Sequence, residues 1–274
     1  MKKIITAILA AIAAAAVCAA ADLQPKHRNI ALQIYTFKNL TLEDALAQIK
    51  GMGFDAIEGS PEIRIGKKFP NVKMKIDMTK EQREYVKKLL KDAGLKLCGY
   101  GVVSTKNEDD VKKLCEFARD FDIKYILTED PVSQFPVWDK YGKEYGVTML
   151  VHHHAWNSAN QYWDPEVMRR FVSRYDNVMA NPDIGHWARS SIDPVAALKT
   201  LRGEIGSIHV KDVPKIGVIE KIVVPCGEGA IDLRAVLAEL DRQGYDDYLV
   251  IEHEADWDNP APSVKKCADF FRKN

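Results

Sequence analysis

The stretch Val147-Thr-Met-Leu-Val-His-His-His-Ala-Trp-Asn157 joins an apolar run of strand length to three consecutive histidines and a tryptophan. The chain has seven histidines, and three more, His186, His209 and His253, stand at or just past the ends of other short apolar runs. Chemistry gathered at the ends of several parallel strands is the plan of a barrel enzyme. Whether the rest of the chain supplies strands at the right rhythm decides the fold.

It does. Strand-like runs are read at residues 30–37, 54–59, 95–103, 124–130, 147–151, 178–187 (a strand with its exit loop), 205–212 and 248–254. Helical periodicity fills the intervals. Thr41 is placed to cap a helix at 42–52, where Leu42, Ala45, Leu46 and Ile49 recur at helical spacing and Gly53 closes the run. Thr79 opens a helix ended by Gly94, and Asn107 caps one that runs to about residue 120. A short helix is read at 137–145, and Asp164-Pro165 and Asp193-Pro194 mark two further starts, with proline pre-set for the first turn. Helices over 232–243 and from Ser263 complete the series. Eight strands alternating with helices predict an α/β fold, a single-domain (β/α)8 TIM barrel, rather than an open doubly wound sheet. No Gly-x-Gly-x-x-Gly follows the first strand, and neither a Walker-type loop nor an interdomain linker is present. The polar connection 61–78, with Lys67, Lys68, Lys73 and Lys75, is long for a barrel loop. It is expected to lie over the strand-end face as a lid or substrate wall, its lysines solvated.

Residues 1–21 have the pattern of an export signal. Lys2 and Lys3 precede an apolar run from Ile4 to Val17, and Ala19-Ala20-Ala21 supplies small residues before Asp22. The run is short of the roughly 20 residues a membrane span needs. The barrel is therefore assigned to 22–274 and a secreted or periplasmic location is expected. Lipidation at Cys18 is the second option, with bulky Val17 against it. Formal charge is +0, and −2 once the two signal lysines leave. Such a balance predicts neither a nucleic-acid partner nor an anionic membrane surface. Cys98, Cys115, Cys226 and Cys267 form no Cys-x-x-Cys pair, so buried free thiols are expected, with a single bridge as the alternative.

The polar residues at the strand ends are Tyr35, Glu58, Glu129, His152, His154, Asp183, His186, His209, Lys211, Glu252 and Glu254. Side chains alternate along a strand, so His152 and His154 share one face, as do His209 with Lys211 and Glu252 with Glu254. His153 and His253 should point toward the helices. Each residue alone has a structural explanation, such as a satisfied histidine or an ion-paired glutamate. Several carboxylates buried together are costly unless a cation compensates. Their convergence with histidines suits a divalent metal such as Mn²⁺, Mg²⁺, Co²⁺ or Zn²⁺.

Asp183-Ile-Gly-His-Trp187, His209-Val-Lys-Asp212, Gly227-Glu-Gly229 and the strand ending in Val250-Ile-Glu252 resemble the xylose isomerase-like barrels, a superfamily of sugar phosphate isomerase/epimerase-like proteins. The resemblance covers nearly all of 22–274. The superfamily also includes ketose epimerases, inosose dehydratases and AP endonucleases, so it implies no one substrate. It implies Asp183, His209 and Glu252 as three ligands of a Glu-Asp-His-Glu set. The first glutamate departs: the matching position holds His152, and Glu129, His152 and His154 all remain options, with Glu129 favoured and His154 nearby. This departure puts the two-glutamate epimerase mechanism in doubt.

The chemistry that the resemblance implies begins with proton abstraction next to a carbonyl, with a metal-stabilised enediolate. Glu252 or His154 is the expected acid/base, Lys211 polarises oxygen, and Arg189 contacts substrate beside Tyr35, Glu58, His152, His186 and Trp156. Trp156, Trp163 and Trp187 are candidates for stacking on a sugar or for core and lid roles. Export and the lack of a phosphate loop favour a neutral small-molecule carbohydrate. Isomerase/epimerase is the leading reading, keto-glycoside lyase or hydratase nearly level with it, and a non-catalytic carbohydrate-binding barrel the third. The AP-endonuclease branch, with its basic DNA-binding face, does not match the charge.

Overall fold

The apolar runs become short parallel strands buried on both faces, as a helix-wrapped parallel sheet requires. The computed structural model describes residues 28–156, 162–220 and 222–274; the expected export segment lies outside them. In chain order the strands are β1 (Ile30–Gln33), β2 (Ala56–Gly59), β3 (Arg64–Gly66), β4 (Phe69–Lys73), β5 (Lys96–Val103), β6 (Tyr125–Thr128), β7 (Thr148–Val151), β8 (Val178–Ala180), β9 (Ile208–Val210) and β10 (Leu249–Ile251). Eight of them form one sheet in the order β8-β7-β6-β5-β2-β1-β10-β9. The ring closes between β8 and the approach to β9, where Ala180 bridges Ile205 and Asp183 bridges His209. Gly206 N–H donates to the Ala180 carbonyl at 2.9 Å, and His209 N–H to that of Pro182 at 2.9 Å.

Alternation divides the apolar side chains between two environments. Ile30, Leu32, Ile57, Met149, Val151, Ile208, Val210, Leu249 and Ile251 belong to the large cluster shared with the helices. The residues between them fill the lumen. Small Ala31, Ala56, Cys98 and Val250 pack on one side, and Tyr125, Leu127 and Leu150 on the other. The next inward position along several of these strands is polar: Gln33 after Ala31, Glu58 after Ala56, His152 after Leu150, Glu252 after Val250. Register holds these levels together, with Gln33 aligned to Glu58 across β1 and β2.

The helices are α1 (Leu42–Ile49), α2 (Lys80–Ala93), α3 (Glu108–Asp120), α4 (Phe135–Tyr145), α5 (Pro165–Val172), α6 (Ile184–Arg189), α7 (Pro194–Thr200), α8 (Leu233–Gln243) and α9 (Ala261–Lys273). Their starts follow the sequence signals. Thr41, Asn107, Asp164, Asp193 and Asp232 each accept a backbone N–H in the first turn, and Thr79 forms a capping box with Gln82. Gly94 ends α2 in the left-handed region at φ 71°. No helix of the described residues is long and apolar enough to cross a membrane.

Three expectations are corrected, and for Trp187 the core role is the one observed. The connection 61–78 holds an antiparallel hairpin, β3 with β4, packed near α1. Its exposed lysines pair on the surface, Lys67 with Asp44, Lys68 with Glu81 and Lys73 with Glu62. Only its start, Ser60 to Glu62, reaches the strand-end cleft. The expected exit loop after β8 is the short helix α6, capped by Asp183. Trp187 on α6 is fully buried and stacks on His153 with ring centroids 5.0 Å apart, so it cannot stack on a sugar. Finally, Cys226 and Cys267 form a disulfide, while Cys98 and Cys115 are the buried free thiols.

The bridge spans 41 residues and ties the loop before α8 to α9. Chain-entropy arguments give such a crosslink about 2–4 kcal/mol. Cys226→Ser should lower unfolding stability by that amount in urea titrations, and an unchanged midpoint would contradict it.

Candidate active site

The C-terminal ends of the strands open into a cleft of about 190 Å³ lined by Gln33, Tyr35, Ser60, Pro61, Glu62, Gly101, Val102, His152, His154, His186, Glu252 and Glu254. Six strand-end residues read from the sequence, Tyr35, His152, His154, His186, Glu252 and Glu254, are among these walls. Glu58, Asp183, His209, Lys211 and Arg189 form a buried layer of charge. Glu129 pairs with His154 and is about one-fifth exposed, whereas Trp156 is mostly exposed.

Asp183 lies at the centre of that layer. As the cap of α6 it accepts the His186 N–H through Oδ1 at 3.0 Å, which turns Oδ2 toward the lumen. Lys211 Nζ is 3.0 Å from Oδ2, and His209 Nδ1 is 3.9 Å away. Lys211 also reaches Glu252 at 2.9 Å and Glu254 at 2.8 Å. His209 sits between two carboxylates, Nδ1 3.0 Å from Glu252 and Nε2 2.8 Å from Glu58. Gln33 donates to the same Glu58 oxygen at 2.5 Å. Arg189 stands behind, with Nη1 3.7 Å from Glu254 and 3.3 Å from His186 Nδ1.

Burial and charge set opposite protonation states within this small volume. Burial, with His209 and His154 nearby, holds His152 down to about 3. Its Nδ1 lies 2.7 Å from Asn181 Oδ1 and is therefore the protonated nitrogen, leaving Nε2 with its lone pair. Burial likewise keeps His153 neutral, held down to about 4. His153 Nε2 accepts the Asp183 N–H at 2.9 Å. The histidine that points away from the lumen thus positions the central carboxylate. Burial opposes charge on His209, but Glu58 and Glu252 overcome it and push His209 up to about 10. Burial similarly opposes ionisation of Asp183 and Glu252. The nearby His186, Lys211 and His209 nonetheless hold Asp183 well below the usual carboxylate range, and Lys211 with His209 does the same for Glu252. His154, half-exposed, is raised by its hydrogen bond to Glu129.

Among the described residues two donor groups can hold a metal ion: His152 with Asp183 and His209, and His152 with His154 and His186, the ligand atoms of each lying within 4.8 Å of one another. The first fits a divalent ion on three grounds. It combines a carboxylate with two imidazoles, a set that suits such ions. Its Asp183 Oδ2 is buried and, although ion-paired with Lys211, accepts no hydrogen bond of good geometry. Its His209 has a carboxylate on its far nitrogen, the arrangement that orients metal-bound histidines.

Other strand-end groups are structural. Asp130, beside Glu129, is buried and receives Thr105 N–H, Thr105 Oγ1–H and Trp138 Nε1–H. Asp212 accepts four backbone N–H groups, from Val213, Gly227, Gly229 and Ile231, which explains the Gly-Glu-Gly loop wrapped around it. Sequence reasoning did not single out Gln33, Ser60, Glu62, Asn181 or Gly185. For Gly185 a signal existed, because it is the residue without a side chain between Asp183 and His186.

The model of the xylose isomerase-like TIM barrel family matches residues 46–274. A protein named inosose dehydratase from Mesomycoplasma hyopneumoniae is 24% identical over 279 aligned positions, which cover 85% of this chain and 89% of its own. Among solved structures, L-ribulose 3-epimerase superposes with a TM-score of 0.69 at 17% identity, over 89% of this chain and 93% of its own. The IOLI protein, solved with a bound zinc atom, gives a TM-score of 0.69 at 19% identity, over 89% and 96%. These two structural likenesses concern the fold alone.

A methyl group at Gly185 would overlap Cγ and Cδ of Lys211. Gly185→Ala should therefore displace the Lys211 stem and cost about 1–3 kcal/mol of stability, as overpacking does. Urea unfolding measures this, and a neutral substitution would contradict the packing described.

Proposed function

Because the chain belongs to the xylose isomerase-like TIM barrel family, we propose that it is a metal-dependent enzyme that removes a proton from the carbon beside a carbonyl of a small neutral carbohydrate. Of the isomerase/epimerase and lyase classes, elimination of a β-substituent, giving a dehydratase or keto-glycoside lyase, is the reading preferred. The observation that carries it is the pair formed by His154 and Glu129 at the edge of the cleft. A histidine held by a carboxylate through Nδ1 presents Nε2 as a base, and the carboxylate stabilises the imidazolium that forms. Glu252 is a poorer base, because Lys211 and His209 hold it ionised. Reprotonation on the opposite face needs a second base of comparable strength, and the His152 position supplies no carboxylate for that role. In an elimination His154 suffices: it takes the C–H proton, the β-carbon–oxygen bond breaks, and the same proton is available to the departing oxygen.

His152, Asp183, His209 and Glu252 would hold one divalent ion, with His152 in the role for which Glu129 was favoured from the sequence. Bound there, the ion supplies positive charge beside the carbonyl and hydroxyl oxygens where negative charge develops. Glu58 and Gln33 orient His209, while Tyr35, Ser60 and Glu62 bound the sugar. Among the described residues the cleft walls include Glu62, Glu252 and Glu254 but no lysine or arginine. Such walls repel phosphates and carboxylates and accept hydroxyl donors, which supports a neutral substrate.

Isomerase/epimerase chemistry, the leading reading from the sequence, is the second. Incubation with keto-sugars and 3-keto-glycosides in D₂O separates the two. Elimination predicts release of water or aglycone, whereas deuterium beside the carbonyl with every substituent kept would favour epimerisation. Neither outcome with any divalent metal would contradict the proton-abstraction mechanism. His154→Ala should lower kcat by about 10²–10⁴-fold with ion content retained, and Glu252→Gln should lose ion and turnover together.

Export is also proposed. Lys2-Lys3, the apolar run and Ala19-Ala20-Ala21 support it, and so does the Cys226–Cys267 bridge, since disulfides persist in oxidising compartments. Mass spectrometry of protein from the native cell should find an N-terminus at Asp22 and Cys226 and Cys267 protected from alkylation until reduced. A cytoplasmic, full-length, reduced chain would contradict this.

A further inference from the structure

Lys211 fills a cage that would otherwise suit a metal. Its Nζ lies 3.0, 2.9 and 2.8 Å from Asp183 Oδ2, Glu252 Oε2 and Glu254 Oε2. Three carboxylate oxygens converging on one point are what a hard divalent cation takes from a protein. Two of these oxygens also face the neighbouring donor group. Asp183 stands with His152 and His209, and Glu252 Oε2 is 3.0 Å from His209 Nδ1. Two adjacent cation positions therefore share Asp183 and Glu252, in the manner of a two-metal site.

The lysine is held in place by construction. Its side chain is 1% exposed, and the stem passes over Gly185, where a methyl group would overlap it. Formal charge agrees. Glu58, Asp183, Glu252 and Glu254 face two permanent cations, Lys211 and Arg189, leaving an excess of two negative charges when the histidines are neutral. One divalent ion balances that excess and a second would overshoot it.

Resting on the reading that His152, Asp183, His209 and Glu252 hold one ion, we propose that Lys211 occupies the second cation position and limits the site to a single divalent ion. The consequence is chemical. An ammonium balances charge and donates hydrogen bonds, but it does not generate a hydroxide nucleophile as a second metal would. Lys211 thus keeps the site on proton abstraction and away from two-ion hydrolysis.

The test is a count of Mn²⁺ on ion-stripped full-length protein, by equilibrium dialysis with elemental analysis and by electron paramagnetic resonance. Wild type should hold about one ion with an uncoupled spectrum, whereas Lys211→Met and Lys211→Gln should hold about two, exchange-coupled through the shared carboxylates. If a variant folds only with Mn²⁺ present, that material is counted; failure of both to fold even then overturns the inference, since the ion should replace the ammonium. One ion or none on the folded variants also overturns it while leaving the single-ion reading to stand on the wild-type count, whereas two ions on wild type overturns both. No ion on wild type overturns the ion reading itself, and the inference with it.

Discussion

Asp183 sits where an uneven set of charges meets. Four carboxylates and two permanent cations are packed into a layer from which water is largely excluded, and the carboxylates are in excess. Buried charge without compensation is costly, and unpaired members cost more than paired ones. The chain answers partly with its own residues, Lys211 against three oxygens and His209 between two. The remainder is left to a proton on His209 or to an ion beside it. The barrel depends on this balance, because the groups arrive on four different strand ends and only closure between β8 and β9 brings Asp183 onto His209.

Local signals in the sequence were enough for the frame. Capping residues such as Thr41, Thr79 and Asn107 act within one helical turn, and period two along β9 and β10 selects His209 with Lys211 and Glu252 for one face. Partners across the barrel were not legible in the same way. His209 and Glu58 are 151 residues apart, and nothing in either neighbourhood specifies that they touch. The disulfide, kept only as the alternative to free thiols, was not legible for the same reason, its pairing being set by where α9 packs rather than by cysteine spacing. The β3–β4 hairpin escaped because its second strand is largely exposed and lacks an apolar alternation.

The triple histidine shows how one short run divides among tasks once strand geometry acts on it. His152 turns inward, neutral, with a free nitrogen beside Asp183 and His209. His153 turns outward, stacks on Trp187 and accepts the backbone N–H of Asp183. His154, past the strand end, stands at the cleft on the support of Glu129. On the proposed function, ligand, positioning group and base would be drawn from consecutive residues, a division that composition alone does not reveal.

On the proposed function, the charge excess around Asp183 is met by one divalent ion at the inner face of His152. An anomalous-difference map from crystals grown with Mn²⁺ locates such an ion. One peak per chain is expected, bonded by His152, Asp183, His209 and Glu252, with Glu129 still on His154. A peak held instead by His154 and His186, or none at all, would contradict it.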